Sequence, residues 1–314
     1  MAILVAADFT LGEWAAWWPE LQASLPGERL VRDRTSVPDV VDEDIDVALV
    51  ANPPADALRG LTGLRLVQSL WAGVDGLLAD ASLPADVPLA RMVDPLMNEA
   101  MAQTALWAVL ALHRGFFRYA AQQQRAQWRP QPQRRADEVN VAVLGLGQMG
   151  RATAQRLAAN GYRVTGWSTH AKVLDGITTH AGPAALAQVL AAAQIVVNLL
   201  PLTAATRCLL NRQTLALMPR DAGLVNLARG AQVVEADLLE ALDSGRLGHA
   251  VLDVFHTEPL PTDHPFWRHP QVSVLPHIAA QTDPRSAARI AAANVRALRE
   301  GRPLERVVDR ARGY

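Results

Sequence analysis

Apolar residues along the chain come in short runs separated by amphipathic stretches, the rhythm of strands alternating with helices. In the first third, residues 3–7, 47–50, 64–70 and 88–92 read as strands, with Pro53-Pro54, Gly60 and Gly63 as punctuation between them. From 98 to 121 the spacing predicts one long helix. Its apolar residues (Met101, Ala105, Leu106, Trp107, Val109, Leu110, Leu112, Phe116) go nearly all the way round, so burial on more than one side is expected. Residues 122–135 are polar, carry Pro130 and Pro132, and read as a surface connection. A second block follows, with strands expected at 139–144, 163–166, 195–200, 223–226, 250–254 and 272–275. A last helix, 285–299, is closed by Gly301 and Pro303. Alternation of this kind predicts an α/β fold of parallel sheets flanked by helices, without internal repeats.

Size and composition narrow the class. At 314 residues the chain exceeds what one hydrophobic core usually supports, so two domains are expected. Lys+Arg and Asp+Glu nearly cancel (30 and 31) and no charged tail is present, so neither nucleic acid nor a membrane surface is an expected partner. The apolar run 104–112 is too short to cross a bilayer and ends at His113-Arg114. Residues 1–7 lack the basic flank of a secretion signal and read as a strand, and Cys208 is the single cysteine. A cytoplasmic protein is expected.

The strand at 139–144 runs straight into Gly145-Leu146-Gly147-Gln148-Met149-Gly150, and a helical stretch follows. In this setting GxGxxG predicts a dinucleotide site. Gly145 permits the tight turn, Gly147 lets backbone approach a pyrophosphate, and Gly150 allows close helix packing. An NAD-preferring site is expected to carry an acid at the end of the next strand, to bind the ribose 2′-hydroxyl. Here that position reads Ser168-Thr169-His170-Ala171-Lys172, with no acid and with the sole lysine of the chain. These residues suit a 2′-phosphate, so NADPH is favoured and NADH is the alternative.

Three later segments each place a polar group after an apolar strand, where ligands bind in open α/β sheets. They are Val225-Asn226-Leu227-Ala228-Arg229-Gly230, Leu252-Asp253-Val254-Phe255-His256-Thr257-Glu258-Pro259-Leu260 and Leu275-Pro276-His277-Ile278-Ala279-Ala280. The other seven histidines show no metal-ligand spacing. With GLGQMG at 145–150, LPLTAAT at 200–206, HPFWRHP at 264–270 and PHIAA at 276–280, the chain resembles the D-isomer-specific 2-hydroxyacid dehydrogenases over nearly its full length. Within that family it is most similar to the NADPH-dependent glyoxylate/hydroxypyruvate reductases.

The resemblance implies roles that the residue chemistry supports. Arg229 would hold the substrate carboxylate and polarise the keto oxygen. His277 would donate a proton to that oxygen, and Glu258 would hydrogen-bond His277 and favour its charged form. In the loop Trp71-Ala72-Gly73-Val74 the backbone N–H groups of Gly73 and Val74 would bind the carboxylate, with Trp71 either walling the pocket or lying in the core. Leu199, Pro201 and Thr206 would line the nicotinamide side of the cofactor, and Leu227, Ala228, Asp253 and Ala279 would lie near it, Asp253 with a structural role as the alternative. The chain departs from its relatives at Thr169-His170, where reductases of this branch often carry arginines.

The expected architecture is two doubly wound, Rossmann-like parallel-sheet domains. Residues 1–98 and 282–314 would form a discontinuous substrate-binding domain, and 99–281 an NAD(P)-binding domain, with the active site in the cleft between them. The helix at 98–121 resembles the family's dimerisation element, which implies a homodimer. Small 2-keto acids, glyoxylate and hydroxypyruvate first, are the expected substrates, with a larger keto acid as the alternative. A formate-type enzyme is disfavoured by Glu258, since glutamine is expected there. A non-catalytic NAD(H)-sensing protein on the same fold is a distant rival.

Overall fold

The structure, a computed structural model, describes residues 1–32, 34 and 42–313. They fall into two compact units, Met1–Leu96 with Thr282–Tyr314, and Met97–Gln281.

The first unit begins with β1 (Ala2–Ala7), α1 (Leu11–Ser24), β2 (Leu30–Val31), β3 (Ile45–Ala51), β4 (Leu66–Ser69), α2 (Asp75–Ala79) and β5 (Leu89–Ala90). Its strands are parallel, in the order β2-β1-β3-β4-β5, and β1, β3, β4 and β5 are buried almost throughout. Helix α1 starts at a capping box in which Thr10 and Glu13 satisfy each other's backbone N–H groups, and it buries Trp17 and Leu21.

The second unit opens with α3 (Pro95–His113) and α4 (Phe116–Gln124), where a single helix over 98–121 was expected. Gly115, at φ +70°, breaks it, ending α3 and capping α4 in the left-handed region that glycine tolerates best. Helix α3 is buried on more than one side, with Ala102 and Ala111 buried as well as the residues on the sheet. Met101, Ala105, Ala108 and Val109 face the sheet, while Trp107 is 44% exposed and Phe116, at the start of α4, is 55% exposed on the single chain.

The unit continues as β6 (Asn140–Leu144), α5 (Gln148–Ala159), β7 (Arg163–Ser168), β8 (Thr178–Ala181), α6 (Pro183–Ala192), β9 (Ile195–Asn198), α7 (Arg212–Leu215), β10 (Ala222–Asn226), α8 (Glu235–Asp243), β11 (Leu247–Leu252) and β12 (Val272–Val274). All seven strands are parallel, in the order β12-β11-β10-β9-β6-β7-β8, so the winding direction reverses between β6 and β9. Side-chain alternation divides the core into two layers. Ala142, Leu144, Val196, Leu224 and Ala250 pack on one face, and Val141, Val143, Val197, Val225 and Val251 on the other.

The chain returns to the first unit as α9 (Pro284–Arg299), capped by the Asp283 side chain. Ala287, Ala288, Ala291, Ala292 and Val295 of α9 are fully buried, and Asn294 donates to Gln68 of β4 at 2.7 Å. Arg299 binds both Glu28 and Asp46. Among the described residues no helix is long and apolar enough to cross a membrane.

Candidate active site

The glycine turn sits where the winding of the seven-stranded sheet reverses, the position at which doubly wound sheets bind ligands. Gly145 has φ +96°, and a Cβ there would lie 2.5 Å from the Leu199 carbonyl oxygen. At Gly150 a Cβ would lie 1.7 Å from the Gly145 carbonyl oxygen. Both positions are closed to any side chain by the protein itself. Gly147 is different, since a Cβ there would meet nothing within 4 Å. Space is kept open in front of Gly147, and no side chain caps the N-terminus of α5 that follows. The exposed backbone of Gly147 and Gln148 therefore offers a phosphate unshielded N–H groups and the positive end of a helix. Leu146 points the other way, with its side chain in the core against Gly166, and Met149 is half-buried beside it.

At the end of β7, Ser168 is buried and its hydroxyl donates to the His170 carbonyl at 2.6 Å, which turns the chain outward. Thr169, His170 and Lys172 are exposed beyond it. Leu199 and Pro201 are half-buried after β9. The Thr206 hydroxyl accepts from the Thr203 N–H and donates to the Pro201 carbonyl, so it ties that loop together.

Arg229 follows β10. Asn226 caps its turn, accepting from the Ala228 N–H and donating to the Arg229 carbonyl. Leu227 and Ala228 are buried beside it, and the Arg229 guanidinium donates to the Ala228 carbonyl at 2.7 Å. Glu258 follows β11, and both of its oxygens are engaged. One accepts the Phe255 N–H at 2.8 Å and the other lies 2.7 Å from His277 Nδ1. Glu235 of α8 steadies that loop, accepting from the His256 N–H at 3.2 Å and lying 3.4 Å from His264 Nε2.

His277, after β12, has φ +55°, a left-handed conformation that costs a non-glycine residue roughly 1–3 kcal/mol. Asp253 holds it there. The Asp253 carbonyl accepts the His277 N–H, and its carboxylate accepts the N–H groups of Ile278 and Ala279 at 2.7 and 2.9 Å. The Asp253 side chain is thus committed to the turn that presents the imidazole, and Ala279 is buried within that turn.

The charges of this cluster act on one another. The hydrogen bond to Glu258 raises the His277 pKa; burial opposes this, the Glu258 charge adds to it, and Arg229 lowers it. Burial works to raise the Glu258 carboxyl, but His277, the Phe255 N–H and Arg229 together hold it below its usual value. Burial raises Asp253 against the pull of its two N–H donors and of His277.

With Nδ1 given to Glu258, Nε2 is the ring nitrogen left to act. It presents a proton when the ring is charged and a lone pair when the ring is neutral. Arg229, Glu258 and His277 thus form one electrostatic cluster at the C-terminal edge of the sheet, the edge that also carries the glycine turn.

Trp71, Ala72, Gly73 and Val74 belong to the other unit, between β4 and α2. Trp71 is half-buried, with its ring 6.0 Å from Phe9 and 5.6 Å from Trp17. Its carbonyl accepts the Met92 N–H.

Three fully buried residues behind the site, Asn198, Asn226 and Gln232, were given no role by the sequence reading. The available signal was a lone carboxamide closing each of two otherwise apolar strands.

Comparison with known proteins gives consistent relatives. The family model for the D-isomer specific 2-hydroxyacid dehydrogenase, NAD binding domain, matches residues 106–279. Glyoxylate/hydroxypyruvate reductase A of Serratia proteamaculans is 44% identical over 278 residues, covering 87% of this chain and 89% of that protein. The same-named enzyme of Klebsiella pneumoniae is 40% identical over 303 residues, covering 95% and 96%. Among solved structures, an NADPH-dependent glyoxylate/hydroxypyruvate reductase from Sinorhizobium meliloti, in complex with NADP and sulfate, is similar with a TM-score of 0.92. It is 35% identical and covers 100% of this chain and 99% of its own. A D-isomer specific 2-hydroxyacid dehydrogenase from Xanthobacter autotrophicus, in complex with NADPH and MES, has a TM-score of 0.93 at 40% identity, with the same coverage.

Proposed function

The chain belongs to the D-isomer specific 2-hydroxyacid dehydrogenase family, and on that premise we propose that it is an NADPH-dependent reductase of small 2-keto acids, glyoxylate and hydroxypyruvate first. The observation that carries the reading is the 2.7 Å contact between His277 Nδ1 and Glu258, with Arg229 acting on both, on the sheet edge that bears the glycine turn. The open space at Gly147 and the uncapped start of α5 fit a dinucleotide pyrophosphate, while Thr169, His170 and Lys172 offer a 2′-phosphate hydroxyl and basic groups and no acid.

NADPH, held by the Gly145–Gly150 turn and by Thr169, His170 and Lys172, would supply a hydride to the keto carbon. The protein residues do the rest. Arg229 binds the carboxylate of the keto acid through its planar fork and draws negative charge onto the keto oxygen. His277 donates its Nε2 proton to that oxygen, which becomes the hydroxyl of the 2-hydroxy acid. Glu258 holds Nδ1 and keeps the imidazole charged until the transfer. Asp253 fixes the backbone that aims the ring. The unit containing residues 97–281 is assigned the cofactor.

Exposed Trp107 on α3 and Phe116 at the start of α4 support a homodimer, whose mass light scattering measures directly. The lone cysteine and the reducing chemistry fit a cytoplasmic setting.

Oxidation of NADPH and NADH by the purified protein, with glyoxylate and hydroxypyruvate, tests the reading. Fast turnover with NADPH that His277→Ala abolishes is expected. Absence of turnover with either cofactor overturns it.

A further inference from the structure

The second unit buries three carboxamides completely, Asn198 at 0%, Asn226 at 1% and Gln232 at 0% exposure. A buried amide without partners costs about 1–3 kcal/mol for each unmet group, so what these three bind is informative. They bind one another. Asn198 Nδ2 donates to Asn226 Oδ1 at 2.9 Å and to Gln232 Oε1 at 2.7 Å, which uses both of its hydrogens. Gln232 Nε2 donates to the carbonyls of Leu200 at 3.0 Å and Pro201 at 2.9 Å. Asn226 Nδ2 donates to the Arg229 carbonyl at 3.1 Å, and Asn198 Oδ1 accepts the Leu200 N–H at 3.3 Å. A continuous hydrogen-bonded path thus leads from the backbone of Arg229 to the segment after β9.

The far end of that path bears on the glycine turn. Leu199 donates to the Leu144 carbonyl at 2.8 Å, and its own carbonyl is the group that Gly145 must stay small to clear. Pro201, held by Gln232, also receives the Thr206 hydroxyl. Closing a parallel strand does not require such a network, since β6 ends at Leu144 and β11 at Leu252 without a buried carboxamide.

We infer that Asn198, Asn226 and Gln232 are positioning residues that fix Arg229 relative to the nicotinamide side of the cofactor site. None of them touches substrate. Their directional bonds set two loops in one register, so the guanidinium meets the keto acid where hydride can arrive. Apolar residues of the same volume would fill the space without fixing that register. The inference rests on the reductase reading and specifies how that site is held.

Gln232→Met keeps the volume and cuts the link to Leu200 and Pro201. Asn226→Asp still accepts from Asn198 and from the Ala228 N–H but loses the donor to Arg229. Each is assayed beside the wild type, with rates expressed per NADPH-binding site measured by fluorescence titration. The expected result is a fall of about 10- to 100-fold in kcat/KM for the keto acid, the scale of a misplaced reacting group. NADPH affinity should stay within about threefold, because the Gly145–Gly150 cradle is intact.

A merely structural role predicts fewer binding sites and a lower melting temperature, with unchanged kinetics at each site. Wild-type kcat/KM per site in either folded variant overturns the inference. An inactive wild type would instead overturn the reductase reading, so the two failures are distinguishable.

Discussion

Replacing Glu258 by glutamine keeps the shape of the side chain and removes its charge. The expected effect is a shift of the alkaline limb of keto-acid reduction to lower pH. Opposite charges about 4 Å apart attract by about 1 kcal/mol in water and about 4 kcal/mol at an effective dielectric of 20. The His277 and Glu258 side chains are 53% and 34% exposed, so solvent screens the pair toward the lower end. A loss of about 1.5–2.5 kcal/mol corresponds to about one to two pH units. Geometry acts in the same direction. The glutamine oxygen is needed by the Phe255 N–H, which leaves its amide NH₂ facing His277 Nδ1. That arrangement requires Nδ1 to be unprotonated and so opposes the imidazolium.

The sign follows from the direction of the shift. His277 is raised in the wild type, so the proton donor is present below its pKa and reduction is lost as pH rises through it. In the variant that loss begins about one to two pH units lower. The assay is kcat/KM for glyoxylate against pH at saturating NADPH, for both proteins. At the acid end, where His277 is charged in both, the variant should retain its rate to within about tenfold. An active variant whose alkaline limb coincides with that of the wild type, or lies above it, would refute the account of Glu258.

Gly147→Ala should fold normally and weaken NADPH binding, whereas Gly150→Ala, whose Cβ meets backbone at 1.7 Å, should lose about 2–3 kcal/mol of stability; thermal melts with and without NADPH separate the two effects. Ser168→Asp puts an acid at the end of β7, and the ratio of kcat/KM with NADPH to that with NADH should fall at least about tenfold; an unchanged ratio would remove Ser168–Lys172 from the cofactor argument. His249, stacked on Phe117 at 4.1 Å, is pushed down to about 4 by burial, with His269 and Arg118 adding to the effect. The unfolded chain therefore takes up this proton first, and stability should decline by up to about 3 kcal/mol as pH falls from 6.5 to about 4. His249→Phe keeps the stack and should flatten that decline in acid denaturation curves.

Much of the parallel-sheet framework was legible because buried parallel strands are continuous apolar runs that need no partner to be recognised. Residues 47–50 and 195–200 read directly as strands, and β3 and β9 lie there. Strand β8 escaped because Thr178–Ala181 lies at the sheet edge, where half-exposed polar residues carry no such signal. The break between α3 and α4 turns on Gly115 alone, and one glycine does not interrupt an apolar periodicity.

In the site, GxGxxG and the three residues following strands stood out because each belongs to a local pattern. The Asn198–Asn226–Gln232 network could not stand out, since its members are 28 and 34 positions from Asn198 and only the fold brings them into contact. The work of Asp253 was hidden for the same reason. Its two N–H donors lie 25 and 26 residues further along the chain.

The interrupted course of the first unit has a consequence during synthesis. Its sheet is translated first, yet α9, the helix that seals one face, emerges only after residues 97–281 have left the ribosome. At 5–20 residues per second this leaves the nascent sheet uncovered for roughly ten to forty seconds. The contiguous second unit can complete its own core within that interval. The early-translated Gln68, Glu28 and Asp46 must wait for Asn294 and Arg299. The vulnerable species on the way to the native protein is therefore a tethered half-domain with its strands exposed, and it is there that a chaperone would be needed most.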